Sequence, residues 1–397
     1  MFNPLPSCVT FCCFLITASA SLLLSMPTIV NAEPVINNAT QEVSKDTIIA
    51  TWQPTTTTLS TISDAEKLLT ASRFLSASGN ERQQVTQFVS RLRSSQTKLS
   101  YEQRQRLVIL EARLMQGVHK FDDALQHLNT IDTTHSGAAQ LLLADINIQR
   151  GQGDKAKQHC EQLMGKTSFL LAFGCVLNAD FSIAPSEDVY NKLQKFERYS
   201  SLTNAESINE AEYIWFRETL ASMALALEKP NLAVQQLSEF TLSTLPVSAL
   251  ITWADAHYAT GQYDTITTVL GQEVSNISRL DDALLLRWVK AQKALNLDDT
   301  KEMRLLSKRM QIRAWREDTS HAAQVASYYL DVDYQPQLAL KFARLNWEYA
   351  QTKHDEHLLK RAEKALSAKD AEAAQATHGS QASQIFQVSQ TSQITES

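Results

Sequence analysis

The chain has 397 residues, 44% of them hydrophobic, enough for a large core or a long array of repeats. Glycine (10) and proline (9) are scarce, which argues against β-sandwiches and glycine-rich catalytic loops and for a mostly helical protein. A net charge of −6 gives no electrostatic ground for a nucleic-acid partner.

Residues 1–32 carry no charged side chain. An apolar run from Cys8 to Met26 is followed by Val30-Asn31-Ala32 and then Glu33. This reads as a secretory signal peptide cleaved after Ala32, which places the protein in the periplasm or otherwise outside the cytoplasm. No Lys or Arg precedes the run, so a retained anchor is the second reading, and membrane contact is expected only in that case. Of the five cysteines, Cys8, Cys12 and Cys13 lie in this segment. The mature chain would keep Cys160 and Cys175, a disulfide candidate in an oxidising compartment.

Residues 33–62, rich in Thr, Val, Ile and Asn without helical periodicity, read as a flexible leader. From 63 to 366 apolar residues recur at three- and four-residue spacing. "RLVILEARLMQG", "AAQLLLADINIQRG", "EYIWFRETLASMALALE", "SALITWADAHYATG" and "ALLLRWVKAQKALN" are first helices, several of them followed after a short break by a second. Pro185, Pro230, Pro246 and Pro336 fall at the expected turns, where a missing amide donor is harmless. Residues 367–397, mostly Gln, Ser, Ala and Thr, lack the apolar surface to offset their ordering entropy and are expected to be disordered.

Small residues mark the helix crossings. Ala112 and Ala124 are 12 apart, as are Ala144 and Ala156, Ala221 and Ala233, and Ala254 and Ile266. Successive hairpins step by 32 (Ala112 to Ala144) or 33 (Ala221 to Ala254). A helical hairpin with a period near 34 predicts an α-solenoid. The body resembles a degenerate tetratricopeptide repeat (TPR) array. The pattern falls on Leu250, Trp253, Ala254, His257, Gly261, Tyr263, Ile266 and Leu270 in one repeat, with Ile266 a departure at the small position. In another it falls on Leu143, Ala144, Gly151, Ala156 and Cys160. Two blocks, "LLLADINIQRGQGDKAKQHCEQL" and "LALKFARLNWEYAQTKHDEHLLKRA", are similar to an uncharacterised group of exported bacterial TPR-like proteins. The expected fold is all-α, a right-handed superhelix of about eight antiparallel hairpins.

No catalytic motif emerges. Gly165-Lys166-Thr167 ends like a phosphate-binding loop, but Cys160 stands where the first glycine belongs and the preceding segment is helical. Gly165 reads instead as a helix C-cap. Cys160, on a second helix, and Cys175, on the next first helix, are antiparallel neighbours across that turn. His354 and His357 share a helix face without a third metal ligand. Asp132, His135 and Ser136 are close in sequence without a scaffold to converge them. Lys301, Arg304, Lys308, Arg309, Arg313 and Arg316 form a basic run read as a solvated face, partly paired with Glu302, Glu317 and Asp318. Asn38 and Asn276 begin glycosylation sequons.

No enzyme, cofactor or metal is expected. In a solenoid the first helices line the concave groove, and the register nominates Arg113, Asp145, Trp215, Asp255, Tyr258, Trp288 and Gln292 as its surface. Trp, Tyr and Arg are the side chains that anchor partners. The function expected is a scaffold that binds a protein or peptide there, in support of an envelope assembly or transport system. The alternative is a small-ligand-binding or glycan-processing protein, which needs two carboxylates converging in a pocket.

Overall fold

The computed structural model describes residues 59–77, 79–95, 98–202 and 209–372, all within the compact unit Thr55–Ser397. The expected signal segment, most of the leader and residues 373–397 lie outside the described residues. Those described form an all-α solenoid of antiparallel helical hairpins. Its hairpins are α1 (Ile62–Ala71) with α2 (Glu81–Ser94), α3 (Tyr101–Gln116) with α4 (Phe121–Leu128), and α5 (Gly137–Gln149) with α6 (Gly153–Glu161). Then come α7 (Phe169–Ile183) with α8 (Glu187–Leu202), α9 (Glu210–Ala226) with α10 (Pro230–Leu237), and α11 (Val247–Ala259) with α12 (Tyr263–Glu273). The last are α13 (Asp282–Ala294) with α14 (Lys301–Arg316) and α15 (Ala322–Asp331) with α16 (Pro336–Tyr349). A further helix, α17, covers 353–372. It runs past residue 366, so the first six residues of the expected disordered tail are helical; Tyr334 Oη donates to Ala365 O and Lys369 Nζ to Gln337 Oε1.

One turn geometry repeats. At the end of α3, α5, α9, α11 and α13 an amide reaches back five residues: Lys120 to Met115 O, Gln152 to Asn147 O, Lys229 to Ala224 O, Gln262 to His257 O and Leu297 to Gln292 O, all within 2.8–3.0 Å. This is the Schellman closure, and it requires a left-handed residue just before. That residue is His119, Gly151, Glu228, Gly261 or Asn296, with φ between 58° and 74°. Glycine stands there only twice, which is why a glycine-based reading of the repeats finds few of them. Side-chain caps start the next elements: Ser100 (with Gln103 closing a capping box), Ser136, Ser168, Asn209, Asp281 and Thr300. Pro230 and Pro336 open α10 and α16, where no amide donor is needed.

The alanine crossings are where the spacing puts them. Ala112, Ala124, Ala144, Ala156, Ala221, Ala233, Ala254 and Ile266 are all buried. One continuous core runs from Leu170 to Ala362. Between α5, α6 and α7 the packing is thinner: Ala144, Ala156, Leu163, Ala172 and Ala179 surround a disulfide between Cys160 and Cys175 (S–S 2.04 Å, Cα–Cα 5.4 Å). The bridge joins α6 to α7, as expected.

The array also winds back on itself. Val247 N donates to Arg73 O at 2.7 Å, tying the α1–α2 turn to the start of α11. Gln351 N donates to Gln149 O at 2.8 Å, tying the end of α5 to the segment before α17. Each contact links a hairpin to chain about five hairpins later. Gly151 sits at the second seam with φ +68°, and a Cβ there would meet Gln351 O at 2.6 Å. Gly261 has φ +74° with nothing within 4 Å of the same atom. Gly261→Ala is therefore expected to cost only the left-handed strain, about 1–2 kcal/mol. Gly151→Ala adds a backbone clash and should cost about 1–3 kcal/mol more. Equal losses in urea denaturation would show that the seam contributes nothing.

Candidate functional site

Of the nominated residues, Arg113 lies on α3, Asp145 on α5, and Asp255 and Tyr258 on α11, and each keeps some exposed surface. Asp255 pairs with Arg287 of α13: Arg287 Nε and Nη2 donate to its two oxygens at 3.0 Å each. Tyr258 lies under Lys290 Nζ, 4.9 Å from the ring centroid, and 4.9 Å from the Tyr263 ring. Lys290 in turn pairs with Asp331 of α15 at 2.8 Å, and Arg361 of α17 donates to the same carboxylate. A row of alternating charge thus crosses α11, α13, α15 and α17.

Trp288 and Gln292 are buried, and Trp215 is half-buried. Trp288 is 5% exposed and belongs to the core beside Gly271. Gln292 is 6% exposed and works locally, donating to Glu302 Oε2 and accepting from Thr300 Oγ1. Trp215 lies across α7, its ring 3.0 Å from where a Gly174 Cβ would be. The α13 error is one of register. Arg287 follows Asp255 by 32 residues, the repeat step. The charge row would have been legible from the spacing of Asp255 and Arg287, had a small residue marked the crossing on α13.

Glu218, Asp255 and Arg287 keep part of their surface open to water, yet protein surrounds them and removes much of the solvent screening. Burial pushes the Glu218 carboxyl up to about 7, against the Ser248 hydroxyl and Arg73 and with help from Asp145. Burial also pushes Asp255 up, but Arg287 more than offsets it and the carboxyl lies below its usual range. His354, at the start of α17, is held below its ordinary value by burial and by Arg287, with Asp255 and Asp355 opposing. Burial similarly lowers the Arg113 guanidinium.

The minor candidates have local roles. Asp132 and Ser136 shape the turn before α5: Asp132 accepts from Thr134 N and His135, while the Ser136 hydroxyl caps Ala139 N. Arg309 and Arg313 of the basic run turn inward to Asp282, and Asp318 pairs with Arg313. Glu317 pairs instead with Lys341. Gly165, with φ +75°, is three residues past the Gln162 cap of α6, in a turn that follows a helix rather than a strand. Asn276 is exposed and caps its own turn through Ser278. Among the described residues no group of three or more His, Cys, Asp or Glu side chains is placed to hold a metal ion, and no helix is long and apolar enough to cross a membrane.

No protein-family model and no curated protein matches the chain. Among solved structures it is similar to the P58(IPK) TPR domain, at 14% sequence identity over 77% of this chain and 99% of that one. The TM-score is 0.21, too low for that likeness to carry an argument. The repeat assignment therefore rests on the recurring Schellman turns and buried crossings described above.

Proposed function

We propose that the protein is an exported interaction scaffold that binds a protein or peptide on the first-helix face of α11, α13 and α15, in support of an envelope assembly or transport system. One observation carries this reading: a partly exposed aromatic ring, Tyr258, is set in a row of paired charges, Asp255–Arg287 and Lys290–Asp331. Such a surface offers an anchor at its centre and charge complementarity around it. In-cell cross-linking of the tagged protein should recover one dominant partner. Tyr258→Ala should reduce that yield at least several-fold while helicity is unchanged. A yield equal to wild type would sink the assignment of this face.

A second reading, a small-ligand-binding or glycan-processing protein, is favoured by Glu218, an enclosed carboxyl near neutrality with Asp145 facing it. It differs from the first in needing a low-molecular-weight ligand and no macromolecular partner.

A further inference from the structure

The chain leaves the described fold beside the Tyr258 row. α17 lies against the end of that row at three points: Arg361 donates to Asp331 Oδ1, Tyr334 Oη donates to Ala365 O at 3.4 Å, and Lys369 Nζ donates to Gln337 Oε1 at 3.1 Å. Lys369 is three residues before Glu372, the last residue described, so residues 373–397 start at the α15 side of the row. They contain no Asp, Glu, Lys or Arg up to Thr395, and their first large apolar side chains are Ile385, Phe386 and Val388. Phe386 is 14 residues past Glu372, a reach of about 45 Å for extended chain. From α15 across α13 to α11 is two helix spacings, about 20 Å.

The row suits an uncharged ligand. Asp255 and Arg287 already pair through two hydrogen bonds of 3.0 Å, and Asp331 is shared by Lys290 and Arg361. A charged peptide competes with these part-buried pairs, and a displaced partner is left without its counter-charge. An uncharged one leaves them intact. Glutamine amides can donate to the remaining carboxylate lone pairs, and an aromatic ring can stack on Tyr258. Tyr258 and Tyr263 are half-buried and Tyr334 is 56% exposed, so the row has ring surface left to cover.

We propose that the chain's own residues 384–388 (Gln-Ile-Phe-Gln-Val) dock on the Tyr258 row, with Phe386 against Tyr258, and compete there with an external partner. The proposal rests on the reading of this face as a peptide site. Tethering makes a weak contact effective. At an effective concentration of about 1 mM, a segment with a Kd of about 0.1 mM occupies the face about 90% of the time. An external partner must displace it, so the segment sets the affinity at which the face responds.

The test replaces Phe386 of the full chain with benzoylphenylalanine, irradiates the protein and maps the adducts by mass spectrometry. Adducts within one chain, on α11, α13 or α15 around Tyr258, are expected. Tyr258→Ala should lower their yield about fivefold or more, with helicity by circular dichroism unchanged. In the in-cell cross-linking assay, Phe386→Ser and Ile385→Ser should each raise the yield of the external partner several-fold. Adducts scattered over the surface, or found only between two chains, overturn the proposal. A partner yield that Tyr258→Ala lowers and neither serine variant raises also overturns it, and leaves the peptide site standing. Adducts at the row together with a partner yield indifferent to Tyr258→Ala sink the external partner instead and leave the docked segment.

Discussion

Asp282→Ala should destabilise the fold by about 3 kcal/mol or more, among the largest losses of any single polar substitution in this chain. Asp282 is 4% exposed and its two oxygens serve two arginines from the next helix. Arg309 Nη1 donates to Oδ1 at 2.7 Å, and Arg313 Nε donates to Oδ2. Removing the carboxylate leaves two partly buried guanidiniums short of their counter-ion, and a broken buried pair costs about 3–5 kcal/mol. Some of that is recovered, because Arg309 keeps the carbonyls of Leu280 and Ser278 and Arg313 keeps Asp318. Asp282→Asn, which retains an acceptor, should lose less. Equilibrium denaturation measures both. A loss under about 1 kcal/mol for the alanine variant would mean that water and the remaining partners suffice.

Cys160→Ala comes next, with an expected loss of about 3 kcal/mol. The bridge closes a sequence separation of 15 residues, and in the chain-entropy model a loop of that size restricts the unfolded chain by about that amount. Its position raises its importance. The packing between α5, α6 and α7 is mostly alanine, which buries little apolar area per residue, so the cross-link holds a joint that side-chain burial alone holds weakly. The Cys160→Ala/Cys175→Ala double variant should be similarly destabilised and should no longer respond to reductant. Wild-type protein whose unfolding midpoint is unchanged by reductant would remove the bridge from the account of stability.

The basic run shows how far a local reading reaches: Lys301, Arg304, Lys308 and Arg316 are exposed as read, but Arg309 and Arg313 turn to Asp282. Arg309 and Arg313 sit four apart on one face of α14, a spacing that fits a solvated stripe equally well. Only packing against α13 turns that face toward Asp282. Trp288 and Gln292 failed for a related reason. Bulky and amide side chains are plausible on a binding groove, and without a small residue at the α13 crossing nothing in the sequence pins its rotation. Glu218, Arg287, Lys290 and Asp331 were missed because each is an unremarked charged residue in its own segment. Their roles arise from neighbours 30 or more residues away.

What the sequence determined by itself is local and periodic: helices, hairpin pairing and the pairing of the two cysteines. These follow from alanine spacing, caps and prolines, whose effects act within one or two hairpins. The tertiary structure decided the rest. A small angle between each hairpin and the next accumulates along the array, and no single residue encodes the sum. That sum brings Arg73 to Val247 and Gln149 to Gln351. Whether a charged side chain is a solvated ornament or a group with a shifted affinity for protons is settled there, because screening depends on what surrounds it in space.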